Sequence, residues 1–397
     1  MNITRLIPLA ATAAIIATSC GQKSDSSVNY TGNMPVVAQK VAVGADSVTV
    51  IDMSASEDIN LIKASDLIDG LEIVKLENSD EAIVGEGAVW ASDNRIIVYT
   101  EGAMKQFDRK GKYLGTVGAR GQGPGEYLTV YDIDIDEKAG KIYLAEYNAS
   151  KIHVYSTDGT FLNDIPLAQQ ARKCRIRVDN AAGKITVFAM QFTDDEGAFN
   201  AWEQDFDGNV LSKVQKPQLS VYPDFSNEIY ASMATEPMEM MIFQYGTDGD
   251  SIYAYIDGDM RPVMTPKFEG KVPMHSNFST PRFYALILYG TPEQKGEYSF
   301  VFPDATPFIV DKKTLKGSYA NLILDPIGSI VVNDWLLYRN PDYFIMSLDP
   351  GTLSELIEKA PQEHEFVSKE AIERMNALKE SIDVDDNNYI ILGRWKK

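Results

Sequence analysis

Two short stretches hold the residue types that could do chemistry. Residues 118–127 read GARGQGPGEY, and residues 132–136 read DIDID. Four glycines beside Arg120 and Glu126 could cradle a phosphate with bare backbone amides, or they could turn the chain tightly between two strands. In a strand, Asp132, Asp134 and Asp136 share one side and Ile133 and Ile135 the other, which would align three carboxylates for a cation.

The phosphate reading fails on spacing. A dinucleotide fingerprint needs glycine at positions one, three and six, and counting from Gly121 the sixth residue is Glu126. A P-loop needs Gly-Lys-Ser/Thr, which the stretch lacks, and both motifs open a helix, whereas Tyr127 leads into a strand-like run. A tight connection between strands remains, with Pro124 limiting the entropy its glycines lose on folding. Arg120 and Glu126 then face each other across the turn. They either pair or, with Tyr127, offer polar groups to a ligand near a channel mouth.

The aspartates do not form a calcium loop. Glu137 stands where the loop needs glycine, and Tyr143 where it needs a bidentate glutamate. Asp132, Asp134 and Asp136 are left as solvated acids or a weak calcium site, and no other cofactor is called for. Nucleophilic chemistry has little support: His153, His275 and His364 lie in no His-x-x-x-His context. His153 alternates within Lys151–Tyr155 as an outward strand residue. Cys174, in RKCRIRV, reads as a small buried side chain.

The elements that position these groups follow a leader. MNITRLIPLAATAAIIATSC has one charge at Arg5, an apolar run, then small residues up to a cysteine, the pattern of a secretory signal. Residues 17–21, ATSCG, resemble a bacterial lipobox. That likeness implies removal of residues 1–19, lipidation of Cys20 and anchoring on a membrane, at the outer membrane of the cell envelope. Residues 20–60, rich in Ser, Gly, Asn and Val, read as a flexible tether. Asp46-Ser47-Val48 within it resembles a Bacteroides-type glycosylation site at Ser47. With Cys20 lipidated, no intramolecular disulfide and no cysteine metal cluster can form. A net charge of −20 argues against nucleic acid, whose binding rests on neutralising phosphates.

From residue 61 to 397 the chain repeats. QFDRKGKYL at 106–114, VYSTDGTFL at 154–162 and EQDFDGNVL at 203–211 superpose as strand, glycine turn and strand, with Gly111, Gly159 and Gly208 48 and 49 residues apart. RIIVY at 95–99 and KIYLA at 141–145 add an upstream strand to two of the units. The period is that of a four-stranded propeller blade. Less regular pairs, 251–255 with 262–264, 298–302 with 307–310 and 334–338 with 343–346, read as the inner parts of blades four, five and six. One helix stands out, from a Ser368 cap through Ile372, Met375 and Leu378. It precedes a last strand, 389–392, that can close the ring against 71–76.

LEIVKLE at 71–77, residues 107–118, GQGPGEY at 121–127, IDID at 133–136 and KIY at 141–143 together resemble the six-bladed β-propeller lipoproteins of the Bacteroidetes, a TolB-like or NHL-like group. The likeness is densest over 65–165. It implies an all-β fold of six four-stranded antiparallel blades in the cell envelope, and it makes DIDID an inner strand.

The functional expectation is a binding or interaction module whose channel mouth and inter-blade loops meet a glycan, a peptide or an envelope protein. Trp202, Tyr222 and Phe225, in an irregular stretch, could stack on sugars or pack internally. The alternative is a calcium-assisted hydrolase or lyase at the channel, an activity the likeness extends from related propellers. Calcium separates the two. The binding reading expects neither bound metal nor a thermal shift when purified protein is soaked with calcium, and a clear shift would favour catalysis.

Overall fold

The computed structural model describes residues 30–397 except 196, 234, 245–250, 271, 291–292, 295–299, 302–304, 337–339 and 341. The leader, Cys20 and residues 20–29 of the expected tether lie outside the described residues.

Six antiparallel sheets surround one axis as a β-propeller. Blade 1 runs through Ala88–Ala91, Arg95–Thr100, Ala103–Asp108 and Tyr113–Thr116. Blade 2 runs through Asp132–Asp136, Lys141–Ala145, Ala149–Ser156 and Phe161–Ala171. Blade 3 runs through Cys174–Asp179, Lys184–Ala189, Ala201–Asp205 and Val210–Val214. Blade 4 spans Glu228–Ser232 to Asp259–Lys267, and blade 5 spans His275–Ser279 to Gly317–Ile323. In blade 6 the ladder joins Tyr343–Leu348, Tyr389–Trp395 and Ile68–Lys75. Strands from the two ends of the chain therefore close the ring, with Ile390 opposite Val74.

Burial explains the hydrophobic pattern. Second strands pack on both faces, so Lys184–Ala189 is buried from Ile185 onward, while the fourth strand Tyr113–Thr116 alternates toward solvent. A separate apolar cluster fills each of the six gaps between neighbouring blades.

The glycine period has a steric cause. Gly111 and Gly159 close the turn between third and fourth strands at φ of +83° and +90°, where a Cβ is disfavoured. Each also lies against the outer strand of the preceding blade. A Cβ on Gly111 would meet the Lys75 carbonyl oxygen at 1.9 Å, and one on Gly159 would meet that of Thr116 at 2.2 Å. The carbonyls then accept across the gap, Gly111 from Glu77 N at 2.8 Å and Gly159 from Gly118 N at 3.0 Å. At blade 3 the side chain of Gln204 takes over this link, bonding Ala168 N and the Pro166 carbonyl.

Three expectations need correction. In blade 4, residues 251–255 and 262–264 belong to the two outer strands; the inner strands of blades 4 and 5 are the polar Glu228–Ser232 and His275–Ser279, which apolar patterning passes over. Residues 334–336 form no strand, and part of 298–302 lies outside the described residues. The expected Ser368-capped helix is Lys369–Ser381, directly before the closing strand; another helix, Pro350–Lys359, precedes it, and Asp349 caps that one by accepting from Thr352 N at 3.0 Å. The last correction concerns the tether, which does not reach residue 60. Ala38–Val43 and Asp46–Asp52 form a hairpin added in parallel to the outer strand of blade 4, and Ile59–Lys63 adds in parallel to that of blade 5. Residues 38–75 thus form a belt along three successive blades. Ser47 is an exposed position on it, opposite Ala42.

The belt is part of the core. Ile51 is fully buried between blades 4 and 5. Ile51→Ala should lower unfolding free energy by about 2–5 kcal/mol, the cost of truncating a core isoleucine. Urea midpoints check this, since the same change in a tether would stay within about 0.5 kcal/mol.

Candidate functional site

The first strands of the blades wall an axial cavity of about 680 Å³. Its two sides differ in chemistry. Blades 4 and 5 contribute Tyr230, Ala231, Met233 and Phe278, a largely apolar wall. Blades 1, 2, 3 and 6 contribute the charged side, together with Trp90, Ser92 and Asn340.

The charged side arises because inner strands approach across gaps too wide for a shared ladder. Asp132 Oδ2 accepts from Ile176 N at 2.9 Å, Asp134 Oδ2 from Val178 N at 2.6 Å, and Asp136 Oδ2 from Asn180 Nδ2 at 2.7 Å. Alternation in DIDID does place the three carboxylates on one side, but it turns them onto blade 3. Arg175 answers from blade 3, donating to the Tyr131 and Ile229 carbonyls at 3.1 Å while lying 3.4 Å from Asp132. Among the described residues no group of three or more His, Cys, Asp or Glu is arranged to hold a metal.

Arg177, two residues on, behaves differently. It extends from blade 3 to the opposite blade, with one guanidinium nitrogen 3.6 Å from Asp134 Oδ1 and 3.8 Å from Asp342 Oδ2. Those separations are ion pairs without hydrogen bonds. Its side chain is 44% exposed, and Asp342 is 36% exposed. Arg394, by contrast, is held by Asp93, with Nε to Oδ1 at 3.1 Å, and lies over the Tyr343 ring at 4.8 Å. Tyr343 donates its hydroxyl to Asp93 at 3.1 Å, and burial pushes that hydroxyl up to about 12.

The remaining expected site residues lie elsewhere. Arg120, Glu126 and Tyr127 do not wall the cavity. Tyr127 is buried between blades 1 and 2, accepting from Met104 N at 3.0 Å and donating to the Val117 carbonyl at 3.1 Å, so its hydroxyl is not offered to a ligand. Nor do Arg120 and Glu126 pair. Glu126 accepts from Gly123 N at 2.7 Å, whereas the exposed Arg120 lies so close over Gly102 that a Cβ there would come within 2.8 Å of its Cδ. Trp202 is fully buried, its indole N–H given to Gln204, while Tyr222 and Phe225 are exposed. His153 is also buried rather than outward, with Nδ1 2.7 Å from Asp164 and Nε2 3.2 Å from Glu146. Cys174 is fully buried, and burial pushes its thiol up to about 12, which leaves it no nucleophilic role.

The cavity residues that sequence reasoning missed are Arg175, Arg177, Asp342, Asp93 and Arg394. A signal existed for the first two, since CRIRV alternates in blade 3 as DIDID does in blade 2.

Asp134 carries the electrostatic cost of the arrangement. Burial, opposed by Arg177 and the Val178 amide and reinforced by Asp132 and Asp342, pushes its carboxyl from 3.8 up to about 6. Between those values the folded protein keeps a proton that the unfolded chain has released. The stability this confers is therefore lost as pH rises through 6. Asp134→Asn retains an acceptor for Val178 N–H and removes the titration. Its stability relative to wild type should rise from pH 4 to pH 7 by on the order of 1–3 kcal/mol, read from urea midpoints. A constant difference over that range would refute the raised value.

No curated protein matches the chain. Among solved structures it is similar to a protein of Bacteroides fragilis described as exported, 15% identical, with 88% of this chain and 100% of that chain covered at a TM-score of 0.56, a likeness of fold. It is also similar to a duf4221 family member from Bacteroides vulgatus, 9% identical over 83% of this chain and 97% of that one, at a TM-score of 0.45. The family profile described as Domain of unknown function (DUF4934) matches residues 48–394, which takes in all six blades, and the chain belongs to that family.

Proposed function

We propose that this chain is an envelope-anchored binding propeller, held on a membrane through Cys20 and receiving its ligand in the axial cavity. One observation carries the reading. Arg177 stands half-exposed in an open cavity, its guanidinium charge only loosely balanced and its donors bonded to no described residue, where an apolar or fully paired lining would have closed the ring. A concave site with an apolar wall and a few convergent polar groups is the general form of a ligand pocket. The leader and lipobox support export, and the likeness to an exported Bacteroides fragilis protein is consistent with it. Glycan, peptide and envelope protein remain the partner classes, with the exposed Tyr222 and Phe225 as a second surface for a larger partner.

Expression in a lipoprotein-processing host tests anchor and cavity together. Wild type should fractionate with membranes and Cys20→Ser should be soluble. Ala231→Trp, which fills the cavity from its apolar wall, should retain at least tenfold less of any small molecule that wild type recovers from the host's envelope extract, as measured by mass spectrometry. Equal retention by a folded Ala231→Trp would sink the cavity reading. A recovered compound of altered mass would instead indicate catalysis.

A further inference from the structure

We infer that the axial cavity selects a neutral polyhydroxylated ligand, a saccharide ring, seated between Arg177 and Asp342. This rests on the cavity being the binding site. The first ground is the geometry of the ion pair across the axis. At 3.8 Å from Asp342 and 3.6 Å from Asp134, the Arg177 guanidinium is too far for direct hydrogen bonds, and a single oxygen set to the side of each pair can bridge it. A hydroxyl group suits that position, because one O–H donates while its lone pairs accept. It can give its proton to an aspartate and take one from the guanidinium in the same place, leaving both charges paired. An ammonium would satisfy the carboxylates and repel Arg177, and a carboxylate would do the reverse.

The second ground is the division of the walls. Acceptors and donors alternate on blades 2, 3 and 6: Asp134, Arg177, Asp342 and Asn340. The facing wall of Ala231 and Phe278 is apolar, and Trp90 lies beside the charged groups as a partly exposed indole whose N–H is engaged with Asp132. A pyranose has this two-sided character, with hydroxyls at its rim and C–H groups on its faces, and an aromatic ring is a natural surface for the latter. At about 680 Å³ the cavity lies within the range of small-molecule sites. The third ground is charge. Asp93, Asp132, Asp134, Asp136, Glu137 and Asp342 outnumber Arg175, Arg177 and Arg394 in the lining, which disfavours an anionic ligand.

Trp90 supplies the readout, because Trp202, Trp335 and Trp395 are buried. Tryptophan emission should be titrated with glucose, galactose, mannose and N-acetylglucosamine, each as the free sugar and as the end unit of a trisaccharide. Lysine and glucuronate serve as charged controls, and Trp90→Phe as the blank. The expected result is saturable quenching by at least one neutral saccharide, weakened tenfold or more in both Arg177→Met and Asp342→Ala. Melting temperatures should stay near wild type, since both side chains are partly exposed. Tighter binding of the trisaccharide would identify a chain end as the natural form, and tighter binding of the free sugar a monomer. Saturation by lysine or glucuronate but by no neutral saccharide would overturn the saccharide inference and leave the cavity as a binding site. Saccharide binding unchanged in both variants would overturn both. A panel without any response would overturn the saccharide inference, and the cavity-filled variant would still decide the broader one.

Discussion

A propeller must satisfy the inner edges of its sheets without pairing them, and this constraint shapes the axial site. At the axis the first strand of each blade faces a neighbouring blade rather than another strand of its own sheet. Its outward amides and carbonyls would be buried without partners, at roughly 1–3 kcal/mol each. Side chains supply the partners in blades 2 and 3. Asp132 and Asp134 take the amides of Ile176 and Val178, and Arg175 gives protons to the carbonyls of Tyr131 and Ile229. The charges in the cavity are therefore consequences of the backbone before they are anything for a ligand. What remains after that matching, chiefly Arg177 and Asp342, is where recognition can act.

The rim of the ring solves the corresponding problem differently. There the backbones approach directly, and glycine at 111 and 159 removes the Cβ that would collide with the preceding blade. Where Gly208 is less tightly pressed, with its nearest contact the Pro166 carbonyl at 3.1 Å, the link passes to Gln204. Beyond the rim, the belt from Ala38 to Lys75 covers the outer edges of blades 4 and 5 and completes blade 6. Those edges would otherwise be open templates for pairing.

Much of the fold was legible because its determinants are local. A glycine turn every 48 or 49 residues reports a repeated steric need, and it located the first three blades. The Ser368-capped helix was legible for the same reason, and the pairing of the two chain-end strands followed from the need of a ring to close its open edge. Blades 4 and 5 were misread because their inner strands, Glu228–Ser232 and His275–Ser279, are polar in sequence and become buried only when the ring closes. The belt was misread because Asp46–Asp52 and Ile59–Lys63 pair in parallel with strands about 215 and 260 residues away, as Asp52 does with Lys267 and Ile59 with Tyr319, and no local pattern encodes a partner at that distance. For the site, DIDID was rightly placed on an inner strand, but a carboxylate's partner cannot be read from spacing. Arg120 and Glu126 share one turn and still do not pair, Glu126 taking the Gly123 amide instead.

Asp134 shows how the structural and recognition roles meet. Its Oδ2 is fixed on the Val178 amide, which leaves Oδ1 as the only oxygen able to face Arg177. Were Arg177 to close fully on Asp134, the pair would be satisfied and the cavity inert. Instead Asp342, approaching from the opposite blade, divides the attraction, and the guanidinium is held between two carboxylates with a hydrogen bond to neither. Burial then raises Asp134 toward neutrality because this pairing is incomplete. An element that is costly when empty and can be completed by a donor-acceptor group is suited to gaining free energy on binding. The cost lies in the residues that join blades 2, 3 and 6, so a ligand completing them would also brace the ring across its axis.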